Sequence, residues 1–350
     1  MNENFLRVIG AKADERKDLF NAAATRIGTT IQNIEKDFWV TWVLDLLFNG
    51  RREGEPRLLF KGGTSLSKVF GLISRFSEDI DITVFREDIG KNLPVEALSL
   101  LSGKKQKHYL EELMQASQAY IQGQLQERLK DQMGAAFQQA QATGIHVELD
   151  PDDHGGQTLQ IHYPSVASAT QDYLKPMVKI EAGAKSALDP HQAFSIEPFI
   201  SQDSAGLDLK VPNIVTIAAE RTFWDKVIIL HGLRHWYDVR EEFQHQGHRL
   251  SRHYYDIHQL MLSGVGQRAL TSPGLALDCA THAKLFFYRK DQGLESAQPG
   301  TFKIVPASTM TDALERDYRT MAPMIFGDVP DFQEVFGTIL ELEKKLNAGA

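Results

Sequence analysis

The sequence has almost no cysteine: Cys279 stands alone, which excludes an internal disulfide and a cysteine-ligated zinc site. No apolar run approaches the length that spans a bilayer. The opening MNENFLRVIGAKADERKD lacks the apolar core of a secretory signal. A cytoplasmic location without a membrane partner is therefore predicted. Positive charge is not in excess either. With 38 Lys and Arg against 46 Asp and Glu, the net charge is −8 and the pI near 5.9. That balance argues against a protein that coats nucleic acid non-specifically, but not against RNA held by one local basic surface. Internal repeats, low-complexity segments and the glycine–lysine spacing of a P-loop are all missing. What remains is ordinary: 42% hydrophobic and 24% charged over 350 residues, enough for a large core and two domains.

One stretch concentrates chemistry. Leu58-Leu59-Phe60 reads as a buried strand, and Gly62-Gly63 as the turn that ends it. Thr64 or Ser65 then caps a helix running through Leu66, Val69 and Phe70. A helix start after a glycine turn presents backbone N–H groups suited to phosphate. In the next strand Ile80, Ile82 and Val84 alternate with Asp79, Asp81 and Thr83. Two carboxylates thus share one face, with Cα atoms roughly 6.5–7 Å apart. Like charges that close repel unless a cation lies between them, and aspartate is a poor strand former. Such a local conflict is expected at a functional site. The plainer reading is a strand end whose acids face water.

The phrase Lys61-Gly62-Gly63-Thr64-Ser65-Leu66-Ser67-Lys68, followed by Arg75-Phe76-Ser77-Glu78-Asp79-Ile80-Asp81-Ile82, resembles the first motif of the DNA polymerase β-like nucleotidyltransferases. More narrowly it resembles the AbiEii/AbiGii toxin family, which includes the MenT toxins of type IV toxin–antitoxin systems. Fifteen residues separate Gly63 from Asp79, more than the superfamily usually has but within the range of the narrower family. Glu35-Lys36-Asp37-Phe38-Trp39-Val40, Lys179-Ile180-Glu181-Ala182-Gly183-Ala184, Glu220-Arg221-Thr222-Phe223-Trp224-Asp225-Lys226 and Arg252-His253-Tyr254-Tyr255-Asp256 are similar to further phrases of that family. The resemblance spans residues 30–260.

It implies Asp79, Asp81 and Glu181 as ligands of Mg²⁺ or Mn²⁺. It implies Gly62, Gly63, Thr64, Ser65, Lys68, Arg221 and Lys226 as the site of a nucleoside triphosphate, with Lys36 and Asp37 at its border. The catalytic set is then Asp79, Asp81, Glu181, Lys226 and Asp256, the last orienting Lys226 or a substrate group. The implied reaction moves NMP from an NTP to an RNA hydroxyl, at the 3′ acceptor end of tRNA. The implied partner is an antitoxin encoded nearby that acts without a tight complex. Two other readings stay open: a protein-AMPylating enzyme, and a non-catalytic nucleotide-binding regulator. On spacing alone Glu181, Lys36, Asp37, Arg221, Lys226 and Asp256 also read as surface charges.

The rest of the chain is read from its periodicity. A helix over 31–48, capped by Thr29 or Thr30, is apolar almost all round and therefore buried. Residues 109–142 form polar surface helices or a coiled arm. A hairpin over 145–149 and 158–163 turns at Asp150–Gly156, which lacks the ligand pattern of a calcium loop. A strand follows over 194–200, and from Val211 onward the pattern is helical, including 214–231. His231 and His235 have a metal-ligand spacing without the glutamate of a zinc-protease helix. Arg234, Arg240, Arg249, Arg252 and five histidines between 231 and 253 make either a phosphate-facing surface or a solvated loop over 236–250. The expected fold class is α+β, and the resemblance implies a polymerase β-like mixed sheet flanked by helices (1–210) with a mainly helical C-terminal domain (211–350) that contributes Lys226 and Asp256.

Overall fold

The computed structural model describes residues 2–77, 79–167, 175–204, 206–243 and 249–348. Glu78 of the first motif, and His245 and His248 of the 236–250 loop, lie outside the described residues. In chain order the elements are α1 (Asn4–Ile9), α2 (Ala13–Ile27), α3 (Ile31–Asn49), β1 (Leu58–Lys61), α4 (Gly62–Lys68), β2 (Asp79–Val84) and α5 (Val95–Ser99). Next come α6 (Gly103–Tyr120), α7 (Gln126–Gln139), β3 (His146–Leu149), β4 (Thr158–His162), β5 (Met177–Glu181), β6 (His191–Ile196) and β7 (Val211–Ile217). Helices complete the chain: α8 (Ala219–Arg240), α9 (Ser251–Leu262), α10 (Val265–Leu270), α11 (Pro273–Phe286), α12 (Ser308–Met321) and α13 (Phe332–Asn347).

The strands form one mixed sheet in the order β3-β4-β5-β2-β1-β7-β6. β2 is antiparallel to β1 and parallel to β5, and β7 is parallel to β1. One face of β2, β5 and β4 is closed by Ile80, Ile82, Val178, Ile180, Leu159 and Ile161, all buried. Helix α3 packs against β2 and β5. It starts where Thr30 accepts a hydrogen bond from the Asn33 N–H, and its whole middle, Asn33 to Leu47, is buried. Trp39 stacks on Tyr163 and lies edge-on to Trp42.

The chain divides into two compact units, 1–69 with 76–93 and 107–216, and 70–75 with 94–106 and 217–350. A single linear boundary near 210 cannot describe this, because two short excursions belong to the second unit. In the second unit α8 packs against α9, α10 and α11, and α9 against α12 and α13.

Several expected elements differ. Residues 211–217 are strand rather than helix: Val211, Ile214, Val215, Thr216 and Ile217 are β-branched and prefer the pleated conformation. The strand expected over 194–200 is shifted to His191–Ile196; Pro198 stands beyond its end and Phe199–Gln202 is a 3-10 turn. The 103–139 stretch is no arm. It runs as helix through one π turn at Ile121–Leu125 and buries Leu113, Tyr120, Ile121, Leu125, Leu129, Met133 and Phe137. Thr64 and Ser65 lie inside α4, whose N-cap is Lys61.

Candidate active site

The alternation of β2 leaves Asp79 and Asp81 half-buried on the face opposite Ile80 and Ile82. β5 runs parallel beside it with Asp81 registered on Glu181 and Asp79 on Lys179. Registered partners point to the same side of a sheet, about 4.8 Å apart between strands. Asp81, Glu181 and Asp79 therefore share one face on two adjacent strands. On the other side of β2, Lys61 is registered on Asp81.

The glycine turn lies directly against this face. Gly62 has φ +79°, and a Cβ there would collide with Asp81 Oδ2. Only glycine lets the turn and the carboxylate approach so closely. Thr64 Oγ1 bonds to the Asp79 carbonyl and to Ser77 Oγ, the latter at 2.9 Å, which ties α4 to β2. Ser65 Oγ donates to the Gly62 carbonyl at 2.9 Å. Both hydroxyls are thus spent on holding the turn.

The far end of α4 is held as firmly. Lys68, 5% exposed, is paired with Asp37 of α3 and lies 4.7 Å from the Phe199 ring centroid. Asp37 also accepts the Phe199 N–H at 2.7 Å. Burial pushes Asp37 up and Lys68 down, each opposed by the charge of the other. Glu35 accepts the Val166 N–H at 2.7 Å, and Lys36 donates to the Lys175 carbonyl at 3.4 Å. The Glu35-Lys36-Asp37 phrase is therefore interior scaffold, not the exposed pair that the plainer reading expected.

Carboxylates on half-exposed sheet positions are the hard oxygen donors that Mg²⁺ and Mn²⁺ take. Among the described residues, no three His, Cys, Asp or Glu side chains converge on one point as placed. Two of the acids are instead answered by lysines, Lys61 Nζ lying 3.6 Å from Asp81 and Lys179 Nζ 3.3 Å from Glu181. The donor chemistry and the register fit a divalent cation.

The second unit carries its own ion cluster. Arg75 grips Asp256 with two bonds, Nε to Oδ1 at 2.7 Å and Nη2 to Oδ2 at 2.8 Å. Lys226 Nζ is 2.7 Å from the same Oδ2. Asp256 is fully buried. Burial pushes its carboxyl up, but Arg75 and Lys226 more than reverse this and hold it well below the usual carboxylate range. Lys226 is pushed down by burial, with Asp256 opposing. A carboxylate so enclosed has no oxygen open to solvent. Arg221, also buried, is paired with Asp278. Each cation that the sequence singled out for the triphosphate thus has a carboxylate in its own unit.

Two sequence signals lead elsewhere. His231 accepts the Lys303 N–H on Nδ1 at 3.0 Å and meets the Gly293 carbonyl through Nε2 at 3.0 Å, so the backbone engages both ring nitrogens. Metal ligation by His231 and His235 has no basis in this arrangement. Burial pushes the His231 pKa from 6.5 down to about 4. In that window the unfolded chain binds the proton and the folded chain does not. Stability is therefore expected to fall by roughly 3 kcal/mol between pH 6.5 and 4. Urea unfolding across that range should show a shallower fall in His231→Gln. Of the arginine patch, Arg234 is paired with Asp238 and Arg240 with Asp291, and α8 continues to Arg240 through the expected loop.

Sequence reasoning missed Lys61, Lys179 and Arg75. Lys179 stands two residues before Glu181, on the same strand face, and Arg75 opens the Asp-x-Asp phrase; both signals were present.

A glycine turn that leads into a helix start beside carboxylates on adjacent strands suits phosphate chemistry, and the comparisons with known proteins give a class of that kind. The family model described as nucleotidyl transferase AbiEii toxin, type IV toxin–antitoxin system, matches residues 45–341. The chain belongs to that family and is a nucleotidyltransferase toxin of a type IV toxin–antitoxin system. The match runs past residue 260 through most of the C-terminal helices. Among solved structures, MenT4, a nucleotidyltransferase toxin from Mycobacterium tuberculosis H37Rv, is similar at 17% identity and a TM-score of 0.44, over 95% of this chain and 98% of that one. No curated protein matches the chain. No helix among the described residues is long and apolar enough to cross a membrane.

Proposed function

We propose that the protein moves a nucleoside monophosphate from an NTP to an RNA hydroxyl, at the 3′ acceptor end of tRNA, and so arrests growth. The observation that carries this reading is Asp81, pressed against Gly62 of the glycine turn and in register with Glu181. The hydroxyl oxygen bonds to the α-phosphorus as the bond to the bridging oxygen breaks, and pyrophosphate leaves. Asp79, Asp81 and Glu181 would hold Mg²⁺ or Mn²⁺, which when bound would supply charge neutralisation at the α-phosphate and a lower pKa for the attacking hydroxyl.

Backbone N–H groups of Gly62, Gly63, Thr64 and Ser65, at the start of α4, receive the terminal phosphates. Thr64 and Lys68 hold α4 at its two ends. Lys226 offsets the charge of the leaving pyrophosphate, with Arg221 in support; these two assignments rest on motif resemblance and not on placement in the fold. Asp256 orients Lys226. The tRNA acceptor, a cytoplasmic location and a nearby-encoded antitoxin that acts without a tight complex are supported by family resemblance.

Incubation of the purified protein with α-labelled NTPs, total RNA and ribosome-free lysate tests the acceptor. Label is expected in RNA of tRNA size, at its 3′ end. Label in protein instead would make the chain an AMPylating enzyme. Label in neither fraction, with NTP intact, would leave a nucleotide-binding regulator.

A further inference from the structure

The acid face carries two lysines that no reading of the motifs assigns. Lys61, Asp81 and Glu181 form one registered row across β1, β2 and β5, and Asp79, Lys179 and Gln160 form the next row across β2, β5 and β4. Lys179 Nζ is 3.3 Å from Glu181 Oε1 and equally 3.3 Å from Asp150 Oδ2. Asp150 is only 5% exposed, whereas Glu181 is 47% exposed. It stands at the hairpin turn after β3, where it also accepts the Asp152 N–H at 3.0 Å. Lys61 Nζ lies 3.6 Å from Asp81. Positive and negative groups thus alternate across the face.

We propose that Lys61 and Lys179 are built-in counter-cations of the metal site, and that Lys179 hands Glu181 over to an entering divalent cation while Asp150 retains it. This rests on the acid face being the metal site of the transfer reaction. An ammonium group on the Glu181 oxygen occupies the lone pairs that a cation needs. Metal entry therefore breaks the Lys179–Glu181 pair and places a divalent charge a few ångströms from a monovalent one, an unfavourable contact. The arrangement keeps three acids together on one face without metal, at the expense of metal affinity. Triphosphate oxygens relieve that cost by giving the ammonium groups new partners, so metal and nucleotide bind with positive coupling. The turn Asp150–Gly156, which has no calcium-loop pattern, thereby gains a role: it anchors the lysine that guards Glu181.

Calorimetric titration of MnCl₂ into the metal-free full chain, without nucleotide, tests this. Lys179→Met keeps the aliphatic stem and removes the charge; Lys179→Gln serves as a second variant if the first melts early. Both are expected to bind Mn²⁺ about tenfold more tightly than wild type. Adding a non-hydrolysable NTP should raise wild-type affinity more than that of either variant. Affinity equal to or weaker than wild type in both folded variants overturns the counter-cation role. The underlying reading has its own arm: Asp81→Asn should lose Mn²⁺ binding, and wild-type binding there removes the metal site itself.

Discussion

Asp81→Asn is expected to lower nucleotidyl transfer about 10³-fold or more, while the melting temperature stays within about 3 °C of wild type. The two halves of that expectation come from different facts. Asp81 lies against the glycine turn and in register with Glu181, so in the proposed reaction its charge lies where a divalent cation and the α-phosphate would meet. Its cationic neighbour is Lys61 at 3.6 Å, with both side chains about a quarter exposed. A partly exposed pair of that kind contributes about 1 kcal/mol or less. Activity and stability are thus decoupled at this position. Initial rates of NMP incorporation beside a thermal melt of the same sample read both. Full activity in the folded variant would remove the metal argument, and a collapsed melt would make Asp81 a structural acid.

Asp256→Ala should behave in the opposite way. Asp256 is fully buried and answers two cations, Arg75 and Lys226. Its loss leaves both enclosed without a counter-charge, which costs about 3–5 kcal/mol and lowers the melting temperature of its unit by about 10 °C. The pH dependence has a definite sign. The folded carboxyl is held below its ordinary range, so its contribution is fully present above about pH 4 and is lost only as pH falls further, through the depressed folded value. Calorimetric scans at pH 7 and pH 4 should show the difference between wild type and Asp256→Ala at both. A melt within about 2 °C of wild type at pH 7 contradicts the buried-ion account.

Much of this was legible in the sequence where local rules act alone. The alternation of Asp79 and Asp81 with Ile80 and Ile82 announced a strand with two acids on one face. Thr30 announced the start of α3, where it accepts the Asn33 N–H. The α+β class and the helical C-terminal part followed from the change in periodicity. What local rules could not reach were pairings set by the tertiary fold. Arg75 and Asp256 are 181 positions apart, and no spacing links them. Glu35, Lys36 and Asp37 carry three charges in a row, a pattern that reads as solvated, yet α3 is enclosed and each charge meets a chain segment far along the sequence. The 211–217 segment leads directly into a helix, and its β-branched run lost to that neighbour in the reading. Register was hidden as well: that Lys61 faces Asp81, and Lys179 faces Asp79, depends on how three strands slide against one another.

The most direct test of the central claim is pyrophosphate release by the purified protein with NTP and total RNA, measured with Mg²⁺ and again with excess chelator. Release that requires Mg²⁺, matches NMP incorporated one for one, and vanishes in Asp79→Asn and Asp81→Asn is the expected result. Undiminished release in chelator, or from both folded variants, would contradict the assignment of the acid face as the transfer site.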